Sequence, residues 1–267
     1  MDDTAVPLSF VDVRGPSGAH QDVPVVLIHG WASGSAYWEP LAALLLDAGW
    51  PVWILDLAGY HPGDRLQKDF TWTLETAAAG VAAVIRARSD GPVHLVGHSM
   101  GGSVALTVAA ANPGLVATVA LVGMVPAPPN DAFRAMLQSQ LAQGFIDDQT
   151  KAKCMKAWYG NLTGQDMETL SKGFDVPFEV LGPSGEAAMT GVEPSVPGRV
   201  HAPLLVLAGV GDRVRSIDQM EAFVAAAPER RRFHAVPDAG HSVHWEQPEA
   251  CAKALDEFWR TSWPPPA

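Results

Sequence analysis

The sequence predicts an α/β protein built on a mostly parallel sheet with helices on both faces. Three observations predict it. Near-continuous apolar runs recur at Val25–Ile28, Val52–Leu55, Val93–Val96, Val116–Val122 and Leu204–Ala208. Runs of that kind belong to strands buried on both faces; half-exposed strands alternate apolar with polar. Helical patterns such as Tyr37–Ala48 and Thr73–Arg88 separate them, which is the alternation of βαβ units. Third, the run Val93–Val96 leads into Gly97-His98-Ser99-Met100-Gly101, and a small-residue helical pattern, Ser103–Ala111, follows at once.

Composition bounds the remaining classes. A chain of 267 residues is one large domain or two small ones, and 48% hydrophobic residues suffice for a core. The net charge of −11 argues against nucleic acid and membrane surfaces as partners. Cys154 and Cys251 stand far apart and form no disulfide framework. Met1-Asp2-Asp3-Thr4 is acidic and opens no apolar leader, so a cytoplasmic location is expected. No stretch approaches the ~20 apolar residues of a membrane span. Trp263-Pro264-Pro265-Pro266-Ala267 cannot be helical.

Along the chain, Leu8–Val13 alternates as an edge strand does. The strand Val25–Ile28 ends in His29-Gly30-Trp31, and Val52–Leu55 ends at Asp56. A turn-rich loop, Ala58–Asp64, precedes the Thr73–Arg88 helix. After Val116–Val122 the alternation stops. Asn130–Gln143, Asp147–Tyr159 and Thr163–Gly173 read as helices, with Asn130 and Thr163 as N-caps. Glycines and prolines punctuate the rest up to about Val200, and no strong strand occurs there. Strands resume at Leu204–Ala208 and Arg232–Val236, with a helix over Ile217–Ala227 between them and a last helix from Pro248 to about Thr261. Residues 1–126 and 200–267 therefore form one core domain, and 127–199 a helical insertion over the carboxyl ends of the strands.

Strand, sharp turn and helix around Ser99 describe a strained elbow that lifts the hydroxyl above the sheet edge. Serine attacks only when a base takes its proton, and that base is a histidine oriented by a carboxylate. Of nine histidines, His241 follows Ala239-Gly240 in a loop after the last strand. His29 and His98 suit the packing of their own turns, His94 and His234 lie within strand patterns, and His20, His61 and His201 in loops. His241 and His244 lack further ligands nearby, so no metal is expected. Asp212 ends the Leu204–Ala208 unit in Gly209-Val210-Gly211-Asp212; its alternative role is a turn aspartate bonded to its own backbone. Gly123-Met124-Val125 offers no competing carboxylate after Val116–Val122, and Asp56 suits a turn-stabilising role. The backbone N–H of Met100, following the nucleophile, and that of Trp31 are the candidate oxyanion donors.

His29-Gly30-Trp31, Gly97-His98-Ser99-Met100-Gly101-Gly102, Gly211-Asp212 and Gly240-His241 stand in the order of the α/β-hydrolase superfamily, which the chain resembles over nearly its whole length. Within it, the compact cap and Trp31 are most similar to small carboxylesterases typified by the biotin-pathway methyl esterases of a pimeloyl carrier protein. The loop Leu57–Asp64 departs from those and is nearer to plant methyl-esterase and pyrethroid-esterase relatives. The resemblance implies the α/β-hydrolase fold: an eight-stranded, mostly parallel sheet flanked by helices, with an inserted helical cap. It implies a cofactor-free carboxylic-ester hydrolase acting through Ser99, His241 and Asp212, on small to medium acyl or aryl esters. The same triad also serves C–C bond hydrolases and lyases, and the fold hosts ligand receptors that turn nothing over. Activity is expected to rise with pH, because only a neutral imidazole accepts the serine proton.

Substrate choice is expected in 127–199, with Met124 and Val125 at its entrance. Phe133, Met136, Leu137, Phe145, Met155, Trp158, Phe174 and Phe178 are its apolar candidates, most of them binding the insertion to the core. Phe133, Met136 and Trp158, with Val214 from the core, are expected to line the pocket. Lys151, Lys153 and Lys156 are either a solvated helix face or a docking patch for an acidic acyl-carrier protein bearing the ester.

Overall fold

The computed structural model describes residues 10–16, 22–160 and 162–262. In chain order its elements are β1 (Phe10–Arg14), β2 (Val25–Ile28), α1 (Glu39–Asp47), β3 (Val52–Asp56), α2 (Leu74–Arg88), β4 (Val93–His98), α3 (Met100–Ala111) and β5 (Val116–Val122). Then come α4 (Asp131–Gln143), α5 (Asp148–Trp158), α6 (Gly164–Leu170), α7 (Phe178–Thr190) and α8 (Val196–Arg199). The chain closes with β6 (Leu204–Gly209), α9 (Ile217–Ala225), β7 (Arg231–Val236), α10 (Val243–Glu246) and α11 (Pro248–Ser262).

The described residues form a sheet of seven strands in the order β1-β3-β2-β4-β5-β6-β7, one fewer than the eight expected. Only β1 runs antiparallel, against β3 with Val11 opposite Leu55. Leu8 and Ser9, the start of the expected edge strand, and the proline-rich tail lie outside the described residues.

Strands β2 to β6 are buried along their whole length because both faces are covered. Side chains alternate between two cores, as a pleated strand requires. Val26, Ile28, Leu55, Leu95, Val119, Leu121 and Val206 face the core shared with α2, α3 and the insertion. Val25, Leu27, Ile54, Val96, Val122, Leu205 and Leu207 face the one shared with α1 and α11, whose Leu41, Leu45, Leu255, Phe258 and Trp259 are buried.

The sheet order fixes where a site can form. From β2 the chain steps outward to β3, then returns to the other side of β2 for β4. That reversal opens a crevice at the carboxyl ends of β2 and β4. The loop after β2 carries Trp31 and the turn after β4 carries Ser99.

The insertion between β5 and β6 is helical. The expected caps are present: Asn130 Oδ1 accepts from Phe133 N–H at 2.9 Å, and Thr163 and Asp166 cap each other reciprocally. Two helices here, α7 and α8, fall where glycines and prolines read as loop. Helix α7 contains Leu181-Gly182-Pro183-Ser184-Gly185. Pro183 removes one donor inside the helix, and the Ser184 hydroxyl donates to the Val180 carbonyl at 2.6 Å. The small residues are there for close approach. A side chain at Gly185 would come within 3.0 Å of the Trp31 indole, and Ser184 Oγ meets the Tyr60 hydroxyl at 2.7 Å. No described helix is long and apolar enough to cross a membrane.

Candidate active site

Ser99 sits between β4 and α3 with φ +51° and ψ −117°, left-handed backbone that an L-residue seldom adopts. The glycines on either side let the elbow form. A Cβ on Gly97 would strike the Gly101 backbone, and one on Gly101 would strike the carbonyls of Ile28 and His29. Helix α3 can therefore start directly behind β4 and lie against the end of β2. As its first residue, Met100 has no intrahelical acceptor for its N–H. Across the crevice, the Trp31 backbone N–H donates to no acceptor among the described residues. Both donors named from the sequence thus remain free at the carboxyl ends of β2 and β4.

His241 and Asp212 meet. His241 Nδ1 and Asp212 Oδ2 are 2.9 Å apart, with the two side chains 2% and 1% exposed. Asp212 also fills the turn role left open by its sequence: Oδ1 accepts from the backbone N–H of Val214 at 2.7 Å and of Arg215 at 3.0 Å. Burial pushes its carboxyl up. The adjacent His241, as charge and as hydrogen-bond partner, outweighs that together with the two backbone donors, and holds the carboxyl below its ordinary value. A carboxylate kept ionised in this way fixes the imidazole tautomer with its proton on Nδ1 and leaves Nε2 as a base.

Ser99 and His241 line one cavity. Trp31, Tyr37, Phe133, Leu137, Trp158 and Val214 supply much of its apolar wall, and Ser33, Tyr159 and Arg215 bring polar atoms. Phe133, Trp158 and Val214, three of the expected pocket residues, are thus among the side chains around Ser99. Met124, Val125 and Met136 do not line this cavity: Met124 and Val125 are 1% exposed, and the Met124 sulfur packs toward Gly102. Leu137 lines it, whereas Phe145 is an exposed side chain of the insertion.

Several supporting residues carry no sequence motif. Glu246 accepts from the backbone N–H of Gly240 and of Ser242, which flank His241, and from Gly160 in the insertion at 2.8 Å. Gly123, at φ +60°, has no room for a side chain because the His241 carbonyl and ring lie against it. Arg215, four residues after Gly211, gave no signal until the loop was folded over the cavity. A cue for Glu246 did exist, in its position five residues after His241 on the first turn of a short helix, α10.

Three further histidines hold structure. His29 Nε2 accepts from Leu57 N–H at 3.0 Å while its Nδ1 donates to the Gly30 carbonyl at 2.8 Å. His98 Nε2 donates to the His241 carbonyl at 3.2 Å, and its ring packs 4.9 Å from that of His241. His244 packs on Trp38 at 4.3 Å and on His98 at 4.5 Å. Burial pushes all three below the ordinary histidine value, His244 to about 3. Asp56 accepts from Ser35 N–H and pairs with His61 at 2.9 Å, the turn role expected of it. No group of three or more His, Cys, Asp or Glu among the described residues is arranged to hold a metal. His20 lies outside the described residues.

Comparison with known proteins places this site in context. The sequence model described as "Alpha/beta hydrolase family" matches residues 25–254. The pimeloyl-[acyl-carrier protein] methyl ester esterase of Methylococcus capsulatus is 28% identical over 93% of this chain and 96% of its own length. Lipase LipV of Mycobacterium tuberculosis is 34% identical, over 54% of this chain and about half of its own, 52%. Among solved structures, a thermophilic esterase from Thermogutta terrifontis with malate bound superposes with a TM-score of 0.80 at 22% identity, over 96% of this chain and 95% of that one. At that identity the superposition speaks for the fold alone.

Proposed function

The chain belongs to the alpha/beta hydrolase family, and from that premise we propose that it is a serine carboxylic-ester hydrolase acting through Ser99, His241 and Asp212. The observation that carries the reading is a strained serine and a carboxylate-bound imidazole opening on one cavity. Esterase and lipase relatives support it.

In this reading His241 Nε2 takes the proton of the Ser99 hydroxyl as Oγ attacks the ester carbonyl. The backbone N–H groups of Met100 and Trp31 receive the negative oxygen of the tetrahedral intermediate. The imidazolium, held by Asp212, passes its proton to the departing alcohol. Water then enters, gives a proton to His241 and attacks the acyl-serine carbonyl; the bond to Ser99 Oγ breaks, His241 returns the proton to that oxygen, and the acid is released. These steps need no cofactor. The insertion, residues 127–199, acts as the cap whose walls select the acyl and alcohol groups. Two buried free cysteines, Cys154 and Cys251, fit a cytoplasmic, reducing location. Lys153 and Lys156 lie three apart on the exposed side of α5, the place for an acyl-carrier protein to dock if the ester is carrier-bound.

Turnover of a p-nitrophenyl and methyl ester panel by the wild type and Ser99→Ala tests the reading. The substitution should lower kcat by up to ~10⁶, and a fluorophosphonate should label the wild type alone. Retention of most activity by Ser99→Ala removes the mechanism. A triad inert to all esters but active on a vinylogous diketone indicates a C–C hydrolase, and tight binding without turnover a receptor.

A further inference from the structure

Among the described residues, Arg215 is the one permanently charged side chain in the wall of a mostly apolar cavity. It is 5% exposed and lines the space that Ser99 and His241 share. One guanidinium nitrogen, Nη1, donates to the carbonyl of Ala127, where the insertion leaves the core. Its Nε is buried with no partner. Among the described residues no carboxylate forms an ion pair with it. The charge of Asp212 acts on it, but that carboxylate is committed: Oδ2 faces His241, and Oδ1 accepts the backbone N–H groups of Val214 and Arg215.

A strut to the Ala127 carbonyl uses one of five guanidinium N–H groups, and a neutral donor would serve as well. A buried charge without a counter-ion is costly, and the cost is relieved when an anion reaches it. Burial lowers the guanidinium only to about 10, so it keeps its charge at neutral pH. The rest of the protein is strongly acidic, so the attraction for an anion is local to this wall. A planar guanidinium matches a carboxylate in both charge and geometry.

We propose that Arg215 makes the Ser99 cavity selective for esters that carry a carboxylate, such as half-esters of short dicarboxylic acids. The free carboxylate would rest on the guanidinium while the ester carbonyl lies over Ser99. The proposal builds on the ester-hydrolase reading and names its substrate class.

The test compares kcat/KM for monomethyl glutarate and methyl valerate, followed by proton release with the full-length protein. The charged ester should be preferred by about 10- to 100-fold, the scale of one charge-assisted hydrogen-bonded contact. Arg215→Met should bring the ratio close to one, and Arg215→Lys should restore part of it. Should Arg215→Met fail to fold, inhibition of methyl valerate hydrolysis in the wild type decides: glutarate should compete and glutaramide should not. Equal kcat/KM for the two esters, or no inhibition by glutarate, overturns the proposal. If Ser99 still takes a fluorophosphonate and neutral esters turn over, only the carboxylate site falls. If Ser99 is unlabelled and no ester turns over, the ester reading falls and takes the carboxylate site with it.

Discussion

The interior holds four histidines neutral, His29, His94, His98 and His244, none more than 6% exposed, and acid should unfold the protein before its carboxylates protonate. His94 shows the cause most simply. Its Nδ1 meets Thr118 Oγ1 at 2.9 Å, its ring stacks 5.0 Å from that of Trp259, and burial lowers it to about 3. Burial, with His241 nearby, lowers His244 to about 3 as well. In the unfolded chain both titrate near 6.5. Their stabilisation is therefore complete above that value and is lost as pH falls from about 6.5 toward about 3, because only the unfolded chain takes up the proton. The slope approaches about 1.4 kcal/mol per pH unit for each histidine. Between pH 7 and pH 5 each should remove about 2 kcal/mol, and His94 and His244 together about 4 kcal/mol, against a total of roughly 5–15 kcal/mol for a typical domain. Asp212 does not confuse this window, since a carboxyl held below its ordinary value gives up its contribution only at lower pH. The assay is urea unfolding followed by tryptophan fluorescence at pH 7 and pH 5, on the wild type and His94→Phe. The phenyl ring keeps the stack on Trp259 but loses the Thr118 bond, so the variant starts lower at pH 7. Its further loss on going to pH 5 should be about 2 kcal/mol smaller than that of the wild type. An equal loss in both proteins refutes the argument.

Two further outcomes are expected. Glu246→Ala frees the loop on both sides of His241 and should lower kcat about 10- to 100-fold while KM for a small ester moves little, because a misplaced base is costly; steady-state kinetics check it, and unchanged kcat removes the positioning role. Lys151/Lys153/Lys156→Glu should slow hydrolysis of a carrier-bound ester selectively, and equal rates for the carrier-bound and free methyl esters end the docking reading.

What the sequence made legible was what local chemistry dictates. The five central strands are apolar on both faces and declare themselves as runs. The elbow at Ser99 is written in Gly97 and Gly101, because each has backbone pressed against the place where a side chain would go. Asp212 and His241 are legible as strand-end and loop residues, although they are 29 positions apart and meet only in the folded chain. Helix α7 was illegible because Gly182, Pro183 and Gly185 answer to tertiary contacts rather than to helix propensity. Met124 and Val125, expected at the entrance of the insertion, are buried because the chain turns them inward. Arg215 is illegible because an arginine in a polar loop carries no signal until the fold buries it.

The same contacts that hid α7 also bear on how the cap works. The Trp31 loop supplies one of the two candidate oxyanion donors, and the insertion grips that loop on several sides. The Trp31 indole donates to the Leu181 carbonyl at 2.9 Å and packs edge-on against Trp158 and Phe174, each 6.0 Å away. Tyr37 bonds both the Ala32 carbonyl, at 3.2 Å, and the Leu170 carbonyl of α6. Gly173 packs so closely on Ala32 that a Cβ would overlap it. Ala32 itself is held at φ +49°, a strained conformation that persists only under such constraint. On the opposite side, Ser242 N–H donates to the Trp158 carbonyl beside His241. Under the proposed ester-hydrolase reading, an insertion attached in this way to both the Trp31 loop and the His241 loop cannot swing open as a body without disturbing the arrangement around Ser99. Substrate entry then calls for local motion of side chains such as Phe133 at the cavity wall, and substitutions deep in α6 or α7 act on kcat as well as on selectivity.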